Sequence, residues 1–108
     1  MRKVPERFQA FSKHKPQISA AYENLSSACR QAGPLSEREC AFVKIGIAAG
    51  SQMEGAVHSQ VRKALDGGIN PDEIRHAIML SLPSIGFPSM MAALTWADDI
   101  LDKEKPSK

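Results

Sequence analysis

Glu54, His58 and Arg62 stand four residues apart in the segment Glu54-Gly55-Ala56-Val57-His58-Ser59-Gln60-Val61-Arg62-Lys63-Ala64-Leu65. On a helix that spacing stacks all three on one face. A carboxylate beside an imidazole orients the ring and fixes its tautomer, which is how a general acid or base is prepared. A guanidinium one turn further on can hold a carboxylate. His58 and Glu54 are therefore the candidate catalytic pair, and Arg62 and Gln60 the candidate ligand-binding residues. Gln60 can hydrogen-bond a ligand or a neighbouring subunit but cannot transfer protons. The competing reading of the triplet is an ordinary charged ladder on a surface or interface helix.

The other reactive residue types offer less. Cys29 and Cys40 are the two cysteines, too few for a disulfide scaffold and too far apart for a redox or zinc motif. Cys40 reads as a small buried hydrophobe or, alternatively, a lone reactive thiol. His14 lies in a polar segment, and His76 has Asp72 four residues before it. No metal site is expected, because neither His58 nor His76 has companions at recognised zinc spacing. No cofactor motif is present.

These residues need helices to position them. Pro16 opens a first long helix with Ile18, Tyr22, Leu25 and Cys29 at helical spacing, closed by Gly33-Pro34. Ser36 and Glu39 fit a capping box for a helix over 36–49, whose apolar face is Cys40, Val43 and Ile47 with Ala41 and Ala48. Gly46 in that helix allows close packing or is simply tolerated. The segment 53–66 carries the stripe Met53, Val57, Val61, Leu65, with Gly67-Gly68 as its stop. Asn70-Pro71-Asp72-Glu73 is a strong start signal for a helix over 70–82, facing inward through Ile74, Ala77, Ile78 and Leu82. The last helix, 88–102, has Met91, Leu94, Ile100 and Leu101 as apolar positions, with Trp96 nearby and followed by Asp98-Asp99. No segment alternates as a strand does. The fold class is all-α, with about five or six helices.

The order of Lys44-Ile45-Gly46-Ile47-Ala48, the helix through His58, the Gly-Ile-Asn-Pro-Asp-Glu-Ile cap, Gly86-Phe87-Pro88 and Ala92-Ala93 resembles the carboxymuconolactone decarboxylase and alkylhydroperoxidase D superfamily. The resemblance covers about Leu35 to Leu101. It implies an all-helical domain assembled into rings or trimer-based oligomers, a trimer or hexamer. Peroxidase-type members resemble the pattern Glu, eleven residues, Cys, two residues, Cys, three residues, His. Aligned without gaps, those positions are Ala41, Met53, Ala56 and Gln60 here. The thiol mechanism needs a thiolate, a resolving thiol and a proton relay, and these residues supply none of them. The decarboxylase branch acts on small carboxylated lactones without a cofactor. Three functions follow: a cofactor-independent lyase or small-carboxylate-binding protein, a peroxiredoxin-type antioxidant protein, and a non-catalytic helical oligomer holding an apolar or carboxylated ligand or a protein partner.

Composition narrows the setting. A chain of 108 residues makes one domain, here with 1–15 peripheral and 103–108 a flexible tail. Oligomerisation is a natural source of extra stability at this size. The net charge of +2 and its placement near the ends, at Arg2, Lys3, Arg7, Lys13, Lys15, Lys103, Lys105 and Lys108, do not suggest nucleic acid. No apolar run reaches membrane-spanning length and no signal core is present, so a cytoplasmic protein is expected.

Overall fold

In a computed structural model, residues 4–104 are described, and all regular structure among them is helical. Seven α-helices follow in order: α1 (Glu6–His14), α2 (Pro16–Gln31), α3 (Glu37–Gly50), α4 (Glu54–Asp66), α5 (Pro71–Met79), α6 (Leu82–Ile85) and α7 (Phe87–Leu101), with a 3-10 turn, Asp102–Glu104, after the last. With α6 a single turn, six longer helices carry the fold, as expected. None of the described helices is long and apolar enough to cross a membrane. Of the expected tail only residues 103 and 104 are described, in that final turn. The chain divides into two compact units, the first ending at Glu37 and the second starting at Arg38.

The first unit is a helical hairpin. Helix α1 was not legible in the sequence, which presents residues 1–15 only as a polar segment anchored by Phe8 and Phe11. Lys15 separates the helices, its amide bonded to the Phe11 carbonyl and its carbonyl receiving the Ser19 amide. The Ser12 and Ser19 hydroxyls meet across the hairpin at 2.9 Å. None of its helical residues is buried. Phe8, Phe11, Ile18, Tyr22 and Leu25 all remain exposed, because two helices alone cannot enclose an apolar face.

The second unit holds the core, built from Ile45, Ala48, Ala49, Val57, Val61, Ala64, Ile69, Ile74, Ile78, Met90, Ala93, Ala97 and Leu101. Helix α7 is its centre and packs against α4, α5 and α6. Its buried side is Met90, Ala93, Ala97 and Leu101; of the expected Met91, Leu94, Ile100 and Leu101, only Leu101 is fully buried. Alanines at the inner positions let neighbouring helices approach closely, so the larger residues are displaced to the flanks: Leu94, Trp96 and Ile100 are half-buried against the core and Met91 is exposed.

Helix α3 also turns another face inward. Ile45, Ala48 and Ala49 are buried, while Val43 and Ile47 are 50% and 62% exposed. Apolar residues surround this helix, so periodicity alone does not choose a side. No atom lies within 4 Å of where a Cβ at Gly46 would sit, so close packing does not require this glycine. On α4, Val57 and Val61 are buried as the stripe requires, Leu65 is only half-buried while its neighbour Ala64 is buried, and Met53 precedes the helix and is exposed.

Two helix boundaries show local chemistry at work. Helix α4 stops where Gly68 takes φ +91°, with the Ile69 amide reaching back to the Ala64 carbonyl at 3.0 Å and the Gly68 amide to Leu65. This is the glycine-dependent helix stop. Helix α5 starts on a complete capping box: the Glu73 amide donates to Asn70 Oδ1 at 3.0 Å, and Glu73 Oε1 accepts from the Asn70 amide at 3.4 Å. It ends at Met79, earlier than the expected Leu82. The Ser81 hydroxyl caps the Ile78 carbonyl at 2.7 Å, and α6 restarts with Pro83 in its first turn. Leu82 is consequently exposed, not inward.

Candidate functional site

Helix α4 carries its buried stripe, Val57-Val61-Ala64, against α7. His58 follows the first stripe residue and so sits at the margin of the α4–α7 contact, 24% exposed at its side chain. From there its Nε2 reaches Asp99 Oδ2 on α7 at 3.0 Å, and Glu54 Oε2, one turn earlier on α4, at 4.0 Å. An ionised carboxylate only accepts hydrogen bonds. In the His58–Asp99 bond the imidazole Nε2–H is therefore the donor, and in the neutral ring Nδ1 keeps the free lone pair.

The Glu54–His58 pairing expected from spacing is thus present but long, and the shorter partner is a residue 41 positions away. Asp99 is the member of this cluster that sequence reasoning missed. Its only signal is the Asp98-Asp99 pair beside Trp96 in the last helix, and no local spacing links it to His58.

The remaining predicted residues divide. Arg62 lies one turn beyond His58, half-buried, with no hydrogen bond or ion pair among the described residues. Gln60 lies two residues from His58, about 200° around the helix, so the structure does not bring it to the same face. It makes no side-chain hydrogen bond among the described residues. Ala41, Met53 and Ala56, at the positions where peroxidase-type members resemble Glu-Cys-Cys, offer no thiol and no proton carrier. Cys29 is exposed and Cys40 half-buried, and no disulfide joins them.

Beside this cluster, Arg75 on α5 spans to α7. Its Nε donates to Asp98 Oδ1 at 2.9 Å, a terminal nitrogen approaches Asp102 at 3.4 Å, and the other lies 3.7 Å from Asp72. Asp98 is therefore neutralised by arginine, whereas the adjacent Asp99 turns to His58.

A second concavity lies away from His58. An open groove of about 660 Å³ runs between α3, α5 and α6, floored by Phe42, Val43, Gly46, Ala77, Leu80 and Ile85. Glu73 and His76 are polar groups in its wall. Glu73 is engaged by Arg38, whose guanidinium also lies over the Phe42 ring at 5.1 Å. His76 is exposed and, among the described residues, has no carboxylate contact of the kind His58 makes.

No curated protein and no solved structure matches the chain. The family model of the carboxymuconolactone decarboxylase family matches residues 16–99, a span from the start of α2 to Asp99 near the end of α7. With most of its length matched, and with the all-helical architecture that the resemblance implies, this chain belongs to the carboxymuconolactone decarboxylase family.

Proposed function

We propose that the protein holds a small carboxylated ligand beside α4 and acts on it as a cofactor-independent lyase, with His58 handling the proton and Arg62 the carboxylate. The observation that carries this reading is the 3.0 Å contact between His58 Nε2 and Asp99 Oδ2. It fixes the ring and leaves Nδ1 as the atom that exchanges a proton. Arg62, one turn along the same helix and without an ionic partner among the described residues, supplies a positive group for an incoming carboxylate.

The chemistry closes without an oxidant. As the bond between the substrate and its carboxylate carbon breaks, CO2 leaves and the electron pair passes into the lactone carbonyl as an enolate. The enolate carbon then takes a proton from doubly protonated His58, whose ring is held in place by its contact with Asp99. A set of small lactone carboxylates assayed for CO2 release tests this. His58→Ala should abolish turnover, Asp99→Asn should lower kcat, and Arg62→Ala should mainly raise KM. Equal turnover by wild type and His58→Ala, or none with any substrate, defeats the proposal.

The peroxiredoxin-type alternative lacks support, since Met53, Ala56 and Gln60 occupy the positions of its thiols and relay. The non-catalytic alternative draws on the apolar groove and on large residues left at the surface of the second unit. Val43, Ile47, Met53, Leu80 and Phe87 are each at least half exposed, and apolar surface of this kind favours a homo-oligomer. Light scattering at micromolar concentration checks the assembly: a trimer or a multiple of it is expected, and a monomer argues against it.

A further inference from the structure

We infer that Glu54, His58 and Asp99 form a binding site for one divalent transition-metal ion of the zinc class, with the imidazole Nε2 and one oxygen from each carboxylate as ligands. The inference goes beyond the proton-transfer reading and does not depend on it.

Geometry is the first support. One ligand atom from each residue lies within 4.8 Å of the other two. Ligand atoms about 2.1 Å from a common ion lie roughly 3.0 Å apart at right angles and roughly 3.4 Å apart in a tetrahedron. His58 Nε2 and Asp99 Oδ2, at 3.0 Å, already have such a separation, and Glu54 Oε2 is 4.0 Å from the same nitrogen. Glu54 is 58% exposed, so surrounding packing does not lock its side chain away from an ion.

Charge is the second. Two carboxylates converge on one imidazole, and neither has a lysine or arginine partner among the described residues. The contrast with Asp98 is direct, because Arg75 neutralises that neighbour at 2.9 Å. A proton on His58 can offset part of the charge of the pair, whereas a divalent ion displacing the Nε2 proton offsets both carboxylates.

The scaffold is the third. Glu54 and His58 are one turn apart on α4, and Asp99 comes from α7. Val57, next to His58 on α4, and Ala97, two residues before Asp99 on α7, are buried in the shared core. The ligand-bearing backbones are thus held by packing instead of by a loop, which is what a preformed site needs. One nitrogen and two oxygens also sort the ions: imidazole favours zinc, cobalt, nickel or iron over magnesium and calcium, which prefer all-oxygen sets. Three protein ligands leave a coordination position for water or for a ligand carboxylate.

The test is direct metal titration of chelator-treated protein, with Zn²⁺ followed by calorimetry and Co²⁺ by its visible absorption. One ion per chain is expected. His58→Ala should abolish the site, and Asp99→Asn and Glu54→Gln should each weaken Zn²⁺ binding at least tenfold. His76→Ala, on another helix, should leave it unchanged. Circular dichroism establishes that each variant is folded. Glu54→Gln, at an exposed position, carries the test if Asp99→Asn does not fold. The inference is overturned if no stoichiometric site appears, or if His58→Ala binds as tightly as wild type. Metal binding without CO2 release removes the lyase proposal and leaves this one standing, and His58-dependent turnover without metal binding does the reverse.

Discussion

Arg75 provides the sharpest test of how the second unit holds α5 to α7. Three carboxylates surround its guanidinium, yet they are not equivalent. Asp98 is closest at 2.9 Å and about a third exposed, Asp102 is 3.4 Å away and 55% exposed, and Asp72 is 3.7 Å away and almost fully exposed. Solvent screening reduces exposed ion pairs to about 0.2–1 kcal/mol. Asp98 belongs near the top of that range, since Arg75 is itself only 21% exposed, and Asp102 near the bottom. Removing the arginine also leaves Asp98 and Asp102, four residues apart on one helix face, repelling by about 0.2–0.5 kcal/mol. Arg75→Met should therefore cost about 1.4–1.7 kcal/mol, a fall in Tm of roughly 6–14 °C for a unit of this size. Double-mutant cycles by urea unfolding should give about 1 kcal/mol of coupling between Arg75 and Asp98, and none measurable between Arg75 and Asp72. Asp72 sits in the first turn of α5, so any effect of Asp72→Asn should be independent of Arg75. The coupling to Asp98 should shrink in high salt. Equal coupling to Asp72 and Asp98 would falsify the argument that burial, not proximity alone, decides which pair matters.

Other outcomes follow from the same structure. Gly46→Ala should stabilise the protein by about 0.5–1 kcal/mol in thermal or urea unfolding, because helix propensity favours alanine and nothing lies within 4 Å of the added Cβ; a loss would mean that this face of α3 is closely covered in the assembled protein. Asn70→Ala should cost about 1 kcal/mol by removing the acceptor of the Glu73 amide, and Asn70→Ser should restore most of it. Incubation with an organic hydroperoxide and a dithiol reductant should give no turnover above background, and turnover abolished by Cys40→Ser would reveal a one-cysteine mechanism instead.

What the sequence displayed follows from the range of each interaction. The Asn70-Pro71-Glu73 cap and the Gly68 stop were legible because their chemistry is complete within a few residues. The inner faces of α3 and α7 were not. Around α3 apolar residues occupy several sides, and on α7 the core selects Ala93 and Ala97 for closeness over larger neighbours with higher hydropathy. Helix α1 buries nothing, so it leaves no apolar period to read. The resemblance carried the family and fold, which residue patterning alone would have left at an all-helical class.

The site was half visible for a related reason. Glu54 and His58 share a helix, so spacing alone couples them, while Asp99 joins them only when α7 lies against α4. The buried stripe Val57-Val61-Ala64 faces that contact, and the polar positions nearest it are the ones that can meet groups from α7. His58 follows Val57 directly, whereas Gln60 precedes Val61 from the opposite side of the helix. Loss of the thiols therefore does not strip α4 of chemistry. The helix still delivers side chains to the edge of a tight helix pair, and in this chain it delivers an imidazole that two carboxylates meet. Whether a proton or a metal ion occupies Nε2 separates the two proposals made for this place, and the Glu54→Gln and Asp99→Asn variants distinguish them. Losing Glu54, the more distant carboxylate, should matter more to an ion that needs three ligands than to a proton already held by Asp99.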